Sequence, residues 1–171
     1  MKRVLLLIIF VIANLHAKIN IETFHSRFIQ KITNDQNQTL RYEGEIWFKK
    51  PLLVKWIYTK PNHKEIYFIA NKIAILEPEL EQITIRHIKK NIDIFQLLNN
   101  AKKIAKNHYI AKSEEKTFHI FIKDNLLQRI TYKDKLGNLN EIYFIQPKQN
   151  CKIDLNIFHI PIHKNWDIIE E

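Results

Sequence analysis

The sequence predicts a mainly β protein, an antiparallel sheet or barrel with one helix in the middle of the chain. Apolar and polar residues alternate with a period of two along most of the chain, which is typical of strands that bury one face. The alternating runs recur about every ten residues and are joined by turn residues, as in antiparallel sheets and barrels. A segment at residues 91–105 departs from this pattern, because its apolar residues recur at helical spacing.

The first half of the chain contains five predicted strands. At residues 40–49 one face is apolar, and Trp47 is the apolar exception on the charged opposite face. The apolar face of this run consists of Leu40, Tyr42, Ile46 and Phe48. The run ends at Pro51, because proline cannot donate a hydrogen bond to a strand ladder. Shorter runs follow at residues 52–58, 66–69, 72–76 and 82–88.

The helical segment comes next and reads NIDIFQLLNNAKKIA. Asn91 is a suitable N-cap, because its side chain can accept a hydrogen bond from the first turn, and Asp93 is favourable near the positive end of the helix dipole. Four further strands are predicted at residues 117–123, 126–133, 141–146 and 152–158. No repeat or linker divides the sequence, which indicates one domain over residues 18–171.

Residues 1–17 have the pattern of a secretory signal peptide. Lys2 and Arg3 precede a short apolar run, and Ala17 is an acceptable small residue before a cleavage site. A membrane anchor is the alternative, but the apolar run has about half of the ~20 residues that a spanning helix needs. We therefore expect an exported mature chain that begins at Lys18.

Composition excludes several classes of function. Two glycines among 171 residues cannot supply a phosphate-binding loop or a dinucleotide-binding fingerprint, both of which need glycines at fixed spacing. A single cysteine cannot form an internal disulfide or a cysteine-based zinc site. The formal net charge of +9 favours an anionic partner. The lysines are spread along the chain rather than clustered, which argues against nucleic acid as that partner.

The sequence contains no motif of a serine hydrolase or of a zinc protease, so we expect no enzymatic activity. His159 and His163 have the spacing of a helical metal site, but Pro161 lies between them, and on a strand they would stand roughly 13 Å apart. Exposed histidines explain the pair better, and we expect no metal and no cofactor. The acidic run at residues 77–81 is interpreted as a solvated turn rather than a catalytic acid pair.

The remaining candidate site is the apolar face that the predicted strands share. This face can be an ordinary packed core, or it can line a cavity enclosed by a curled sheet with the helix as a lid. The pattern alone does not separate these alternatives, because both place the same residues on the same face.

Several short sequences, taken in order, resemble the LolA family of periplasmic lipoprotein carriers. They are FHSRFIQKIT at residues 24–33, GEIWFKKP at residues 44–51, then Trp56, Tyr58 and Pro61, EPELEQ at residues 77–82, and the tail at residues 157–161. Each piece is short, but their order and spacing cover nearly all of the predicted mature chain. The resemblance implies an unclosed antiparallel β-barrel, or half-barrel, with a helical lid over an apolar cavity.

The resemblance also implies a function. Family members hold the acyl chains of lipoproteins against the concave apolar face, because each CH₂ group removed from water is worth about 0.8 kcal/mol. An inner-membrane lipoprotein-releasing ABC transporter supplies the cargo, and an outer-membrane acceptor receives it. By resemblance we expect a monomeric periplasmic carrier of acylated lipoproteins. The alternatives are a binder of another lipid or glycolipid on the same fold and, on the histidine pair alone, a periplasmic enzyme.

The expected lipid-binding residues combine the family's inner-face positions with the apolar face of residues 40–49 and with the helix. They are Phe28, Leu40, Tyr42, Ile46, Phe48, Val54, Trp56, Phe95 and Leu98. The family's lid helix falls on residues 93–99. Lys50 occupies a position where relatives commonly have arginine, and the resemblance implies that it bonds the lid to the barrel. A lysine ammonium makes a weaker tether than a planar guanidinium fork.

The chain departs from the family pattern at two places. The N-terminal helix that is usual in relatives is almost missing, since only residues 18–23 precede the first strand, and Ala70-Asn71 replaces an Asp-Gly turn. These departures predict a simpler lid and a more open cavity than in relatives.

Overall fold

The computed structural model describes residues 19–87, 94–113 and 116–171, and these residues form one large sheet. The strands are β1 (Thr23–Thr33), β2 (Thr39–Lys49), β3 (Leu53–Lys60), β4 (Lys64–Ile69), β5 (Lys72–Glu77), β6 (Gln82–His87), β7 (Lys102–Ala105), β8 (His108–Ser113), β9 (Lys116–Lys123), β10 (Leu126–Lys133), β11 (Leu139–Gln149) and β12 (Asp167–Glu170). One α-helix, α1 (Ile94–Asn99), lies between β6 and β7, and short 3₁₀ turns occur at Pro78–Leu80 and Leu155–Phe158.

The strand order is β12-β6-β5-β4-β3-β2-β1-β11-β10-β9-β8-β7, so β12 and β7 are the two edges of the sheet within the described residues. Neighbouring strands are antiparallel except β12 and β6, which are parallel. The long β1 joins the two meanders, because it pairs with β2 on one side and with β11 on the other. The predicted fold class, a mainly β protein with an unclosed antiparallel sheet, is confirmed.

The sheet curls so that strands far apart in it face each other. Tyr58 on β3 and Tyr132 on β10 are four strand spacings apart, which would be about 19 Å in a flat sheet. Tyr58 and Tyr132 nevertheless both pack against one cluster of buried residues, which a curled sheet brings within reach of both rings. We call the face that they share the inner face.

A second apolar cluster lies on the opposite, outer face of β4–β6. Its buried members are Tyr67, Ala74, Leu76 and Ile83. Ile160 and Trp166, from the segment that follows β11, pack against these residues before the chain adds β12 to the edge at β6. The outer face of β4–β6 is therefore covered, which explains why β4 is apolar on both faces after Glu65 rather than clearly alternating.

Most predicted strands are confirmed, with small shifts at their ends, as β2 to β6 and β9 to β11. The helix predicted for residues 91–105 is wrong after residue 99, because Lys102–Ala105 forms β7. Asn107 adopts a left-handed φ of 63° in the turn that follows, and this turn brings β7 into hydrogen-bonding contact with β8. Backbone pairing with a neighbouring strand thus overrides the local helical spacing.

The strand predicted for residues 152–158 is also wrong. This segment is irregular and ends in the 3₁₀ turn, which the Asp154 carboxylate caps by accepting a hydrogen bond from the backbone N–H of Asn156 at 3.0 Å. The predicted signal peptide, residues 1–17, lies outside the described residues, as do residues 91–93 of the predicted helix. Among the residues that the structure describes, no helix is long and apolar enough to cross a membrane.

Candidate functional site

The inner face carries the larger of the two apolar clusters and also the helix α1. Its fully buried side chains come from both meanders and from the helix: Phe24, Phe28, Ile46, Phe48, Leu98, Ile120 and Leu127. Leu97 and Ala101, at the end of α1, pack against the same cluster. The helix therefore covers part of the inner face, as the lid prediction requires.

Aromatic rings form two groups of contacting side chains on the inner face. Phe24 stacks on Phe48 with ring centroids 4.7 Å apart and meets Phe144 edge-on at 5.0 Å. Phe28 makes edge-on contacts with Trp56 at 4.9 Å and with Tyr58 at 5.4 Å. Such pairs add to the stabilisation from burial alone, so this part of the inner face is a rigid wall rather than an empty space.

Gly44 makes the wall possible. It lies on β2 opposite Phe28. A Cβ atom at this position would lie 1.8 Å from the backbone oxygen of Ile57 and 2.9 Å from the ring of Phe28. The close approach of β3 and the overlying ring together leave no room for a side chain, which is a physical reason for the glycine that begins the GEIWFKKP segment.

A chain of polar side chains crosses the inner face beside the aromatic wall. The hydroxyl of Tyr58 donates to Oε1 of Gln30 at 2.9 Å, and Nε2 of Gln30 donates to Oδ1 of Asn140 at 3.1 Å. Both amides are buried. Burial raises the pKa of Tyr58 far above its usual range, so the phenol stays neutral and acts as a donor.

A cavity of about 560 Å³ opens at this polar end of the inner face. Tyr42, Tyr58 and Gln30 line it on one side. Ile66 and Leu80 add apolar surface, and Lys64 and Glu77, which form an ion pair at 2.8 Å, add charge. The cavity therefore combines an apolar wall with polar groups, which suits an amphiphilic ligand.

Comparison with known proteins decides the family. A family model described as "Outer membrane lipoprotein carrier protein LolA" matches residues 19–161. This chain belongs to the LolA family. The resemblance found in the sequence motifs is thus confirmed.

Relatives in the LolA family match the chain over most of its length. An outer-membrane lipoprotein carrier protein of Campylobacter jejuni is 32% identical over 170 residues and covers 99% of both chains. A protein of the same name from Wolinella succinogenes is 31% identical over 153 residues, which is 89% of both. One from Helicobacter pylori strain J99 is 32% identical over 153 residues, which is 89% of this chain and 82% of that protein.

Solved structures support the LolA-type fold. An uncharacterized conserved protein from Thermus thermophilus superposes with a TM-score of 0.55 at 9% identity, over 90% of this chain and 93% of that one. A LolA superfamily protein from Nitrosomonas europaea superposes with a TM-score of 0.52 at 9% identity, over 84% of this chain and 92% of that one. At such low identity the likeness concerns the fold alone.

The structure brings most of the predicted lipid-binding residues together. Six of them belong to the inner cluster or pack against it: Phe28, Ile46, Phe48, Val54, Trp56 and Leu98. Tyr42 lines the cavity instead. Leu40 does not join them and is 62% exposed, because this end of β2 extends beyond the packed cluster. The side chain of Phe95 lies outside the described part of the chain.

The sequence pattern did not predict which residues form the accessible part of the inner face. Phe28, Ile46 and Phe48 are almost completely buried, whereas four residues on β4 and β5 are half-buried: Ile66, Phe68, Ile73 and Ile75. The strand register places them on the face of Val54 and Trp56. Their alternation is hidden in the sequence, because the outer face of the same strands is apolar as well. On this face β1 and β2 thus contribute a packed core, and β3–β5 contribute a half-buried apolar lining; the lid-covered apolar cavity stays a prediction.

Lys50 contacts the segment that precedes β1. Its Nζ lies 2.7 Å from Oε1 of Glu22 and 3.4 Å from Oδ1 of Asn20, and its backbone N–H donates to the carbonyl oxygen of Glu22. These bonds tie the end of β2 to the start of the described chain. The predicted bond from Lys50 to the lid stays a prediction.

The histidine candidate for a metal site lies away from the inner face, whereas Glu77 and Glu79 of the acidic run line the cavity at its polar end. Within the described ranges there is no group of three or more metal-ligating side chains that could hold an ion. His163 stacks on Trp166 with ring centroids 4.3 Å apart. The acidic run at residues 77–81 forms the turn at Pro78–Leu80, as predicted, and Glu79 and Glu81 are exposed.

Proposed function

We propose that this protein is a periplasmic carrier that holds the acyl chains of outer-membrane lipoproteins and delivers them across the aqueous compartment between the membranes. Membership of the LolA family and the names of its relatives support the carrier function. The observation that carries the proposed site is the half-buried apolar lining on β3–β5, which continues an aromatic wall on the inner face of a curled sheet.

The lining explains how a carrier can bind acyl chains and still release them. An acyl chain of sixteen carbons exposes methylene groups worth on the order of 10 kcal/mol in transfer free energy. The wall of β1 and β2 is packed before any ligand arrives, so binding does not require it to reorganise. Within the described residues the helix α1 spans six residues. A helix this short depends on packing for its stability, so we propose that it is a cover that a ligand can displace.

The proposed carrier has two membrane partners and catalyses no reaction itself. An inner-membrane ABC transporter would load the carrier, and an outer-membrane acceptor would unload it. The absence of a nucleotide-binding motif in the sequence means that the energy for loading comes from the transporter. We also propose that residues 1–17 direct export, and that residues 18–171 act as a monomeric single domain.

The first experiment identifies the cargo. Protein purified from its native periplasm, without detergent, should carry triacylated or diacylated polypeptides that mass spectrometry detects. Acylated polypeptide as cargo supports the lipoprotein carrier, whereas a free phospholipid or glycolipid as the dominant cargo supports the alternative lipid binder. A protein that is always empty and takes up no fluorescent fatty acid would sink both.

The second experiment tests the site with a matched pair of variants. Ile66 and Ile57 are both half-buried isoleucines on adjacent strands, but Ile66 belongs to the inner face and Ile57 to the outer face. Ile66→Lys should weaken binding of a fluorescent fatty acid at least tenfold, because a charge in an apolar site loses its hydration. Ile57→Lys should bind as the wild type does. Equal binding by two folded variants would contradict the inner-face site.

A further inference from the structure

The inner face contains one buried donor without an acceptor. Among the described residues, two buried side-chain nitrogen atoms have no hydrogen-bond partner, and of these Nε1 of Trp56 is the one on the inner face. Part of the indole ring is exposed, but Nε1 itself has no surface open to solvent, so a ligand reaches it only when the side chains that cover it move aside. In the unfolded chain this N–H would bond to water, and buried polar groups in native proteins nearly always have a partner.

The neighbouring polar groups do not satisfy this donor and bond to one another instead. The Tyr58 hydroxyl donates to Gln30, Gln30 donates to Asn140, and Asn140 donates to the backbone oxygen of Asn138. Trp56 contacts Phe28 edge-on and stacks on Tyr58 with centroids 6.0 Å apart. A ring held between two others keeps its N–H in a defined direction.

The position of Trp56 along β3 divides the inner face into two chemical regions. On the Tyr58 side lies the cavity of about 560 Å³, with Gln30, Tyr42 and the Lys64–Glu77 ion pair. On the Val54 side the register brings Phe68 and Ile73 into line with Val54, and these three side chains are apolar. The next partner in line, Arg86, is engaged in an ion pair with Glu171. An unpartnered donor therefore stands at the boundary between a polar cavity and an apolar wall.

An acyl ester has the same order of groups: a polar head, a carbonyl oxygen that accepts hydrogen bonds, and a hydrocarbon chain. We propose that the inner face fixes the direction of an acylated ligand. The ester carbonyl accepts a hydrogen bond from Trp56 Nε1, the head lies in the cavity beside Tyr58, and the chain lies along Val54, Phe68 and Ile73. This inference rests on the proposed acyl-binding function and adds that the site recognises the carbonyl group as well as the hydrocarbon.

The test compares two ligands that differ only at the carbonyl. The ligands are 1-dodecanoylglycerol, an ester, and 1-O-dodecylglycerol, the ether with the same chain and head group. Each competes with the apolar fluorophore N-phenyl-1-naphthylamine for the purified protein. The wild type should bind the ester about fivefold more tightly than the ether, which is the size expected for one added hydrogen bond.

The variant Trp56→Phe keeps an aromatic ring and removes the donor. It should bind the two ligands equally, and displacement of the fluorophore by both ligands shows that the site still binds. Trp47→Phe is the matched control, because Trp47 lies on the outer face and stacks on His25. This control should keep the fivefold preference for the ester.

A spectroscopic measurement observes the bond directly. The indole ¹H–¹⁵N signal that is missing in Trp56→Phe should move downfield in wild-type protein when the ester binds, and should not move downfield with the ether. Equal affinity of the wild type for both ligands, or an ester preference that survives in Trp56→Phe, would overturn the inference while leaving acyl binding intact. Failure of both ligands to displace the fluorophore would instead refute the acyl site, and the inference with it.

Discussion

The variant Gly44→Ala should destabilise the protein strongly, because β2 and β3 approach too closely at this position for any side chain. An alanine Cβ would lie 1.8 Å from the backbone oxygen of Ile57, and contacts below 3.0 Å essentially do not occur. The oxygen must therefore retreat by about 1.2 Å, compared with a normal strand spacing of about 4.8 Å. The same Cβ would meet the Phe28 ring at 2.9 Å, so neither side of the wall can absorb the added atom cheaply.

The size of the effect follows from these displacements. A separation of about 1.2 Å takes the nearest ladder hydrogen bonds beyond bonding distance, and two such bonds contribute about 1 kcal/mol each. Displacement of the Phe28 ring in a filled core adds about 1–3 kcal/mol. We expect the free energy of unfolding to fall by about 3–5 kcal/mol, and the melting temperature to fall by about 10 °C.

Urea denaturation followed by tryptophan fluorescence measures this loss. The chain has one other glycine, Gly137, which provides the control. A Cβ at Gly137 meets no atom within 4 Å, but the backbone has a φ of +85°, so Gly137→Ala should cost only about 1 kcal/mol of backbone strain. If Gly44→Ala lost no more stability than Gly137→Ala, the close approach of the two strands would be refuted.

Three further variants test other parts of the structure. Phe48→Ala should lower the free energy of unfolding by about 3–5 kcal/mol in urea melts, because the ring is fully buried. Lys50→Ala should lower the free energy of unfolding by less than about 1 kcal/mol, since its ion pair with Glu22 is partly exposed. If Lys50 also bonds to the lid, this variant should be cleaved near α1 faster than the control Lys49→Ala. Equal cleavage rates would contradict the lid tether. Burial lowers the pKa of His108 from its usual 6.5, with help from His119 and Arg129. Just below pH 6.5 the unfolded chain therefore binds more protons than the folded protein, so the free energy of unfolding should decrease as the pH falls through this range. In His108→Gln the free energy of unfolding should depend less steeply on pH. An unchanged pH dependence would contradict this role of His108.

Local pattern was sufficient where a strand has one buried and one solvated face. The alternation in residues 40–49 identified β2 and put Ile46 and Phe48 on the buried face, where both are fully buried. The order of short motifs was sufficient for the family, and in at least one motif packing restricts the residue. Gly44 is the clearest case, since its lack of a side chain is required by the approach of β3 and Phe28.

Tertiary structure decided the elements and residues whose environment depends on distant parts of the chain. Residues 102–105 have helical spacing, yet they form β7 because the edge of β8 offers backbone partners. The sequence could not distinguish the half-buried inner-face residues of β4 and β5 from core residues. The C-terminal segment covers the outer face of the same strands, so both faces are apolar. Trp56 shared a predicted face with its neighbours, but only the packing around its ring left the indole N–H without an acceptor. A sequence specifies which faces are apolar, while the extent to which each face is filled depends on how the sheet curls and what packs against it.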